Sequence, residues 1–333
     1  MYRRVIKIVL VGVLLGFSTV YAKTLSDSDI QNVLQSAYNK YKTNQEGKNA
    51  DYIQALAEVD ASLFGISIVM ADGRTFDVGD TKSLFSIQSI SKVFTVAKVM
   101  DENGPKMVQN TIGVNATGLP FNSIIAIELH DGSASNPFVN AGAIQSTSWV
   151  KADNSKTRWI KIKKNMDAYA GHELGFNDKV YQSELGDNKH NQAIAKLLDS
   201  SNRMGSDPLE ATTVYTKQCS VNVTSHDLAV MGATLSNHGL NPITSRQVIT
   251  PSYTPYILSI MATAGLYDTA GDWLYATGTP AKSGVGGGIL AVVPGVMGIG
   301  VFSPRLDGAG NSVKGQLAAK YIIQKLNINP YAK

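Results

Sequence analysis

Ser89-Ile90-Ser91-Lys92 sets a hydroxyl and an amine three residues apart. On a helix that spacing puts both groups on one face. A serine hydroxyl must lose its proton as it attacks, so alone it is a poor nucleophile. A lysine kept neutral by burial can take that proton. The positive end of a helix helps, because it disfavours an ammonium and favours anionic character nearby. The pattern by itself is weak, since a serine near a helix start is commonly just a cap.

A second segment strengthens it. Lys282-Ser283-Gly284 lies far downstream, just before Gly286-Gly287-Gly288 and an apolar run. Glycines there let backbone approach a substrate closely. Serine hydrolases of the penicillin-binding type pair S-x-x-K with such a Lys-Ser/Thr-Gly strand. Their middle motif has only a formal match, Ser220-Val221-Asn222, and triplets of this kind are common. The histidines at 130, 172, 190, 226 and 238 lack H-E-x-x-H spacing, and one cysteine cannot build a thiolate site. No phosphate-binding glycine loop is present. The expectation is no metal and no cofactor.

These residues need a scaffold. Residues 28–42 carry one apolar stripe, with Ser28 and Gln31 resembling a capping box. Leu63–Met70 reads as a strand, Asp72-Gly73 as a turn and Arg74–Val78 as a second strand. A helix is expected over Gln88–Met100. Asn136-Pro137 and Gly142 bracket a turn before an Ala-rich stretch, and Gln192–Leu198 reads as helix. The basic run Lys151–Lys164 reads as a solvated loop. Thr224 and Asp227 cap a helix that stops at Gly239. Gly288–Val293 and Val296–Phe302 flank Pro294-Gly295 as a hairpin, and a last helix spans Val313–Leu326. Strands near both ends with helices between them give an α+β layout.

The N-terminus reads separately. Arg3, Arg4 and Lys7 precede an apolar stretch from Ile8 to Val20, with small residues at the cleavage positions near Ala22. That is the grammar of a signal peptide over residues 1–22, which implies an exported protein, periplasmic or secreted. A retained membrane anchor is the alternative. Residues 1–22 hold three cations and no acids, so the rest carries 27 basic against 26 acidic residues. A nearly neutral body gives no electrostatic case for nucleic acid or an anionic membrane as partner. The single cysteine, Cys219, excludes an internal disulfide and reads as a small core residue. Stability must come from an ordinary core, which a chain of this length and 44% apolar content can build.

Longer blocks point further. Gln88-Ser89-Ile90-Ser91-Lys92, the run Asn136–Ile144 and the run Lys282–Leu290 together resemble the serine-dependent glutaminases. Shorter matches are Ala50-Asp51-Tyr52-Ile53, Ser183-Glu184, Asn191, Tyr215, Gly265-Leu266-Tyr267-Asp268 and Gly310–Gly315. The resemblance implies a β-lactamase/transpeptidase-like fold: an antiparallel sheet flanked by helices, with an inserted helical lobe. On it, residues 23–333 form one glutaminase domain. The sheet lobe takes approximately residues 23–90 and 245–333, and the helical lobe approximately 91–244.

The resemblance also implies roles. Ser89 is the expected nucleophile and Lys92 its proton acceptor. Tyr267, or else Tyr52, moves a proton to the leaving ammonia. Ser89, Asn140, Glu184, Asn191, Tyr215, Tyr267 and Val285 are the expected substrate contacts. The implied reaction is hydrolysis of L-glutamine to L-glutamate and ammonia through a serine acyl-enzyme, without a cofactor, in a homo-oligomer (dimer or tetramer). The chemistry fits: an α-ammonium calls for a carboxylate, which Glu184 supplies, and the amides and phenol offer neutral hydrogen-bond partners. The backbone N–H groups of Ser89 and Val285 are candidates for holding the oxyanion. His190 and Ser135 depart from the family's usual residues. Two other readings share these motifs: a penicillin-recognising serine hydrolase of the cell envelope, and a non-catalytic glutamine-binding module. The block Asn136–Ile144 with Glu184 and Asn191 suits a free amino acid rather than a β-lactam, and a pure binder has no need of Ser89 and Lys92.

Overall fold

The computed structural model describes residues 25–332. The expected signal peptide, residues 1–22, lies outside the described residues.

Five strands form an antiparallel sheet: β1 (Gly65–Met70), β2 (Thr75–Gly79), β6 (Ala281–Gly284), β7 (Gly288–Val293) and β8 (Met297–Phe302). Their order is β2-β1-β8-β7-β6, so the two ends of the chain meet at the β1–β8 pair. Both expected hairpins form. Gly73 and Gly295 turn them with positive φ, +93° and +72°. Three short strands, β3 (Phe85–Ser86), β4 (Gly175–Phe176) and β5 (Val221–Val223), make a second sheet in the order β3-β5-β4.

Strand alternation assigns the faces of the large sheet. Ile66 and Ile68 of β1, Ile289 and Ala291 of β7, and Ile299 and Val301 of β8 share a core with Ile30, Leu34, Ile322 and Ile323. Those last four come from the helices Asp27–Tyr41 and Val313–Lys325. Leu290 and Val292 point the other way, into a core with Leu228, Met231 and Val93. On that face the helix Ser225–Ser236 packs across β8, β1 and β7. It approaches closely because β8 presents glycine to it. A Cβ on Gly300 would stand 2.1 Å from the Ser225 carbonyl oxygen, and one on Gly298 would stand 2.3 Å from the Ala229 oxygen. The turn Gln88–Ile90 that carries Ser89 packs against β6 and β7 of this sheet.

Several local expectations need correction. Ser26, not Ser28, caps the first helix, accepting from Asp29 N at 3.1 Å. The segment 88–100 is not one helix. Gln88 takes φ +50°, so Gln88–Ile90 forms a 3-10 turn and the α-helix runs Ser91–Asn103. Gly142 is not in a turn but inside the helix Asn140–Trp149, where a Cβ would strike the Asn136 carbonyl oxygen at 1.8 Å. The basic run is no loop either. Asn154 and Thr157 form a capping box that starts the helix Ser155–Ala170, and Arg158, Ile162, Met166 and Tyr169 are its buried face. By contrast, Thr224 and Asp227 form the expected capping box, and Cys219 is buried and free.

The glycine contact is testable. Gly300→Ala must push the helix Ser225–Ser236 off the sheet, and overpacking of this kind costs about 1–3 kcal/mol. A lowered urea midpoint and melting temperature are expected. A wild-type midpoint would show that the helix yields freely and that the glycine is incidental.

Candidate active site

Ser89 lies in the 3-10 turn at the base of a cavity of about 110 Å³. Tyr52, Asn140, Glu184, Asn191, Tyr215 and Val285 line it with Ser89. These residues come from separate elements, each fixed locally. Asn140 opens the helix Asn140–Trp149. Glu184 lies on the helix Asp178–Gly186, whose first turn is capped by the Asn177 side chain accepting from Val180 N at 3.0 Å. Asn191 is in the first turn of Lys189–Ser200. Tyr215 lies on Pro208–Cys219, started by Pro208 and by Asp207 accepting from Leu209 N and Glu210 N. Val285 follows β6.

Lys92 sits beneath the cavity, 1% exposed. Its amine donates to the Phe138 carbonyl at 3.1 Å and to Asn140 Oδ1 at 2.8 Å. Among the described residues no carboxylate pairs with it and no hydrogen bond joins it to Ser89. Burial pushes its pKa down to about 7. The two donated bonds use both N–H groups of a neutral amine, so its lone pair is left to accept a proton. Asn140 Oδ1 also accepts from the Tyr215 hydroxyl at 3.1 Å, and Asn140 Nδ2 donates to Asn191 Oδ1 at 3.1 Å. Base and cavity wall therefore share one network.

Tyr267 is not part of the cavity wall but stands behind it. Its backbone is left-handed, φ +58°, and its hydroxyl is buried. Burial raises its pKa above the ordinary phenol value, and the adjacent Ser89 and Ser283 hydroxyls partly offset that rise. Neither serine makes a hydrogen bond of good geometry with it. Tyr52 stands at the rim, 57% exposed as a whole residue. Desolvation and the nearby Glu184 charge push its pKa up to about 12. Glu184 is pushed up to about 7 by burial, against a hydrogen bond from Gln88 Nε2 at 2.6 Å.

The sequence analysis gave no site role to Gln88, Phe121 or Asp187, and none to Lys282 beyond its place in the Lys-Ser-Gly motif. Gln88 and Phe121 line the cavity. The Phe121 ring lies 4.8 Å from that of Tyr267. No motif marks Phe121. Lys282, fully buried, places its amine 4.0 Å from the centre of the Tyr267 ring and donates to the Ser283 carbonyl at 2.8 Å. Asp187 and Asn188 add further polar groups to the wall. The formal triplet Ser220-Val221-Asn222 is structural. Ser220 Oγ donates to Thr216 O, and Asn222 accepts from Asn177 in the small sheet. His190 Nε2 bonds the Asn122 carbonyl at 2.7 Å, outside the cavity wall. A larger groove of about 530 Å³, lined by Met100, Lys106, Tyr256 and Ile260, holds none of the expected residues.

The family model described as Glutaminase matches residues 47–331. A glutaminase of Colwellia psychrerythraea is 47% identical over 308 residues, covering 92% of this chain and 99% of its own. One of Brucella canis is 51% identical over 285 residues, covering 86% and 90%. The solved structure of a probable glutaminase, ybaS, superposes with a TM-score of 0.91 at 46% identity, covering 92% of this chain and 99% of that one. The structure of Mglu in its glutamate form gives 0.85 at 35% identity, covering 90% and 69%. Agreement of this extent, along sequence and backbone alike, places the chain in the glutaminase family.

Proposed function

We propose that this glutaminase hydrolyses L-glutamine to L-glutamate and ammonia through an acyl-enzyme on Ser89. The observation that carries the mechanism is the buried Lys92 amine, pushed down to about 7 and donating both N–H groups of its neutral form to protein acceptors. Such an amine takes the Ser89 proton as Oγ attacks the side-chain amide carbon. The N–H groups of Ser89 and Val285 hold the oxyanion, a role typically worth about 10²–10³ in rate per donor. The proton on Lys92 passes by way of the Tyr267 hydroxyl to the leaving nitrogen, which departs as ammonia. Water then attacks the ester carbon, Lys92 taking its proton and returning it to Ser89 Oγ as the acyl bond breaks, and glutamate leaves with Ser89 and the neutral amine restored. Glu184 pairs with the α-ammonium; Asn140, Asn191 and Tyr215 face the remaining polar atoms. The solved glutamate form of Mglu supports a ligand of this class.

Export is part of the same reading. It rests on the basic start and apolar run of residues 1–22. Sequencing the N-terminus of the exported protein is expected to give a chain beginning near Lys23; a fraction retaining Met1 would favour the anchor.

Ser89→Ala is expected to lower ammonia release by more than about 10⁴-fold while glutamine still binds, as measured by calorimetry. Activity equal to wild type would remove Ser89 from the mechanism. The pH profile tests the two ionisations together. Lys92 must be unprotonated and Glu184 ionised, and both are set at about 7. Acid protonates both, so log kcat/KM falls with a slope approaching two on the acid side, one proton for each group. A flat profile down to about pH 5 would rule out the neutral amine as base.

A further inference from the structure

Gln88 is a buried residue in an unusual backbone state, directly before the nucleophile. Its φ of +50° is uncommon for a non-glycine residue and carries a conformational cost. Its surroundings hold it there. A Cβ on Gly284 would stand 3.3 Å from Gln88 Cβ and 2.8 Å from the Ile87 oxygen, and one on Gly286 would stand 3.4 Å from Gln88 Cγ. The Gly-rich end of β6 is therefore bare where Gln88 lies. The Gln88 carbonyl accepts from Ser91 Oγ at 2.7 Å. Its side-chain nitrogen donates to Ser86 Oγ at 3.2 Å and to Glu184 Oε1 at 2.6 Å. Among the described residues this is the one hydrogen bond made by the Glu184 carboxylate.

We propose that Gln88 is a positioning residue that orients Glu184 as a carboxylate for the substrate ammonium, tying the ammonium clamp to the turn that carries Ser89. This rests on the role given to Glu184 above. A short hydrogen bond from a neutral amide stabilises the ionised acid over the neutral one. It acts against the burial that drives Glu184 toward protonation. The left-handed backbone aims the amide at the helix Asp178–Gly186, so the strain at Gln88 serves the substrate site as well as the nucleophile.

The test is the steady-state kinetics of Gln88→Met and Gln88→Asn across pH, beside wild type and Glu184→Gln. Methionine keeps the length and loses the donor. Asparagine tolerates the left-handed backbone but is too short to reach Glu184, so its effect is separable from misfolding. Both are expected to raise KM for glutamine about tenfold near neutral pH, with kcat changed much less, because a hydrogen bond to a charged group is lost. Both should also move the acid limb of kcat/KM to higher pH, since Glu184 then protonates more easily. A fall in kcat with KM and the acid limb unchanged would overturn the proposal and leave Gln88 as a support for Ser89 alone. Glu184→Gln separates the two levels. Weakened glutamine binding there, with unshifted Gln88 variants, defeats only the positioning role. Normal binding there defeats the ammonium role of Glu184 and this inference with it.

Discussion

A buried amine with no counter-ion among the described residues governs this site. Removing an ammonium from water without a partner charge is costly, so the neutral form gains population. Lys92 lies in that situation, and its neighbours are matched to an amine rather than to an ammonium. The Phe138 carbonyl it bonds is itself fixed. Asn136 Oδ1 accepts from Phe138 N at 2.9 Å and from Val139 N at 3.2 Å, closing the loop before the helix Asn140–Trp149. That helix can fold back so tightly because Gly142 meets the Asn136 carbonyl. The block Asn136–Ile144 is thus one device: a glycine permits the fold-back, an asparagine locks the loop, and the loop delivers two acceptors to the base.

The same device reaches the cavity wall. Asn140 takes hydrogen bonds from Lys92 and Tyr215 on one oxygen and gives one to Asn191. A ligand that engages Asn191 or Tyr215 therefore acts on groups one bond removed from the base. Two residues beside the nucleophile, Gln88 and Tyr267, have left-handed backbones. Strain of this kind persists only where packing over-determines it. The packing comes from β6 and its glycines, anchored in the large sheet beside β7. The helix Ser225–Ser236 packs on the same sheet through the glycines of β8.

What could be read from sequence was what chemistry writes locally. Ser89 and Lys92 share a short segment, and the alternation in β7 and β8 shows as bare periodicity. Both hairpins carry glycine at the turn. The failures have a common cause in tertiary context. Positive φ at Gln88 leaves no compositional mark, so the 3-10 turn was hidden inside a helical pattern. Arg158 looked like a solvated cation, yet its side chain lies inward and its Nε donates to the Val150 carbonyl at 3.2 Å. Ser28 looked like a cap, but the competing Ser26 stands three residues before Asp29 and takes its N–H. Phe121 enters the site only because the chain around it is tied back, its carbonyl accepting from Asn140 N at 2.8 Å.

The second buried lysine bears on the direction of proton flow. Among the described residues Lys282 makes one hydrogen bond, to the Ser283 carbonyl, and faces the ring of Tyr267. Burial holds its pKa well below the ordinary value, and the positive charge that Lys92 carries when protonated lowers it further. In the proposed reaction the Ser89 proton therefore goes to Lys92 rather than to Lys282, whose ammonium burial disfavours more strongly. Burial also keeps Tyr267 a neutral phenol. A neutral phenol can give its proton to the departing nitrogen as it receives one from Lys92. The motif lysine is thus a poor destination for that proton, and the leaving group is the productive one.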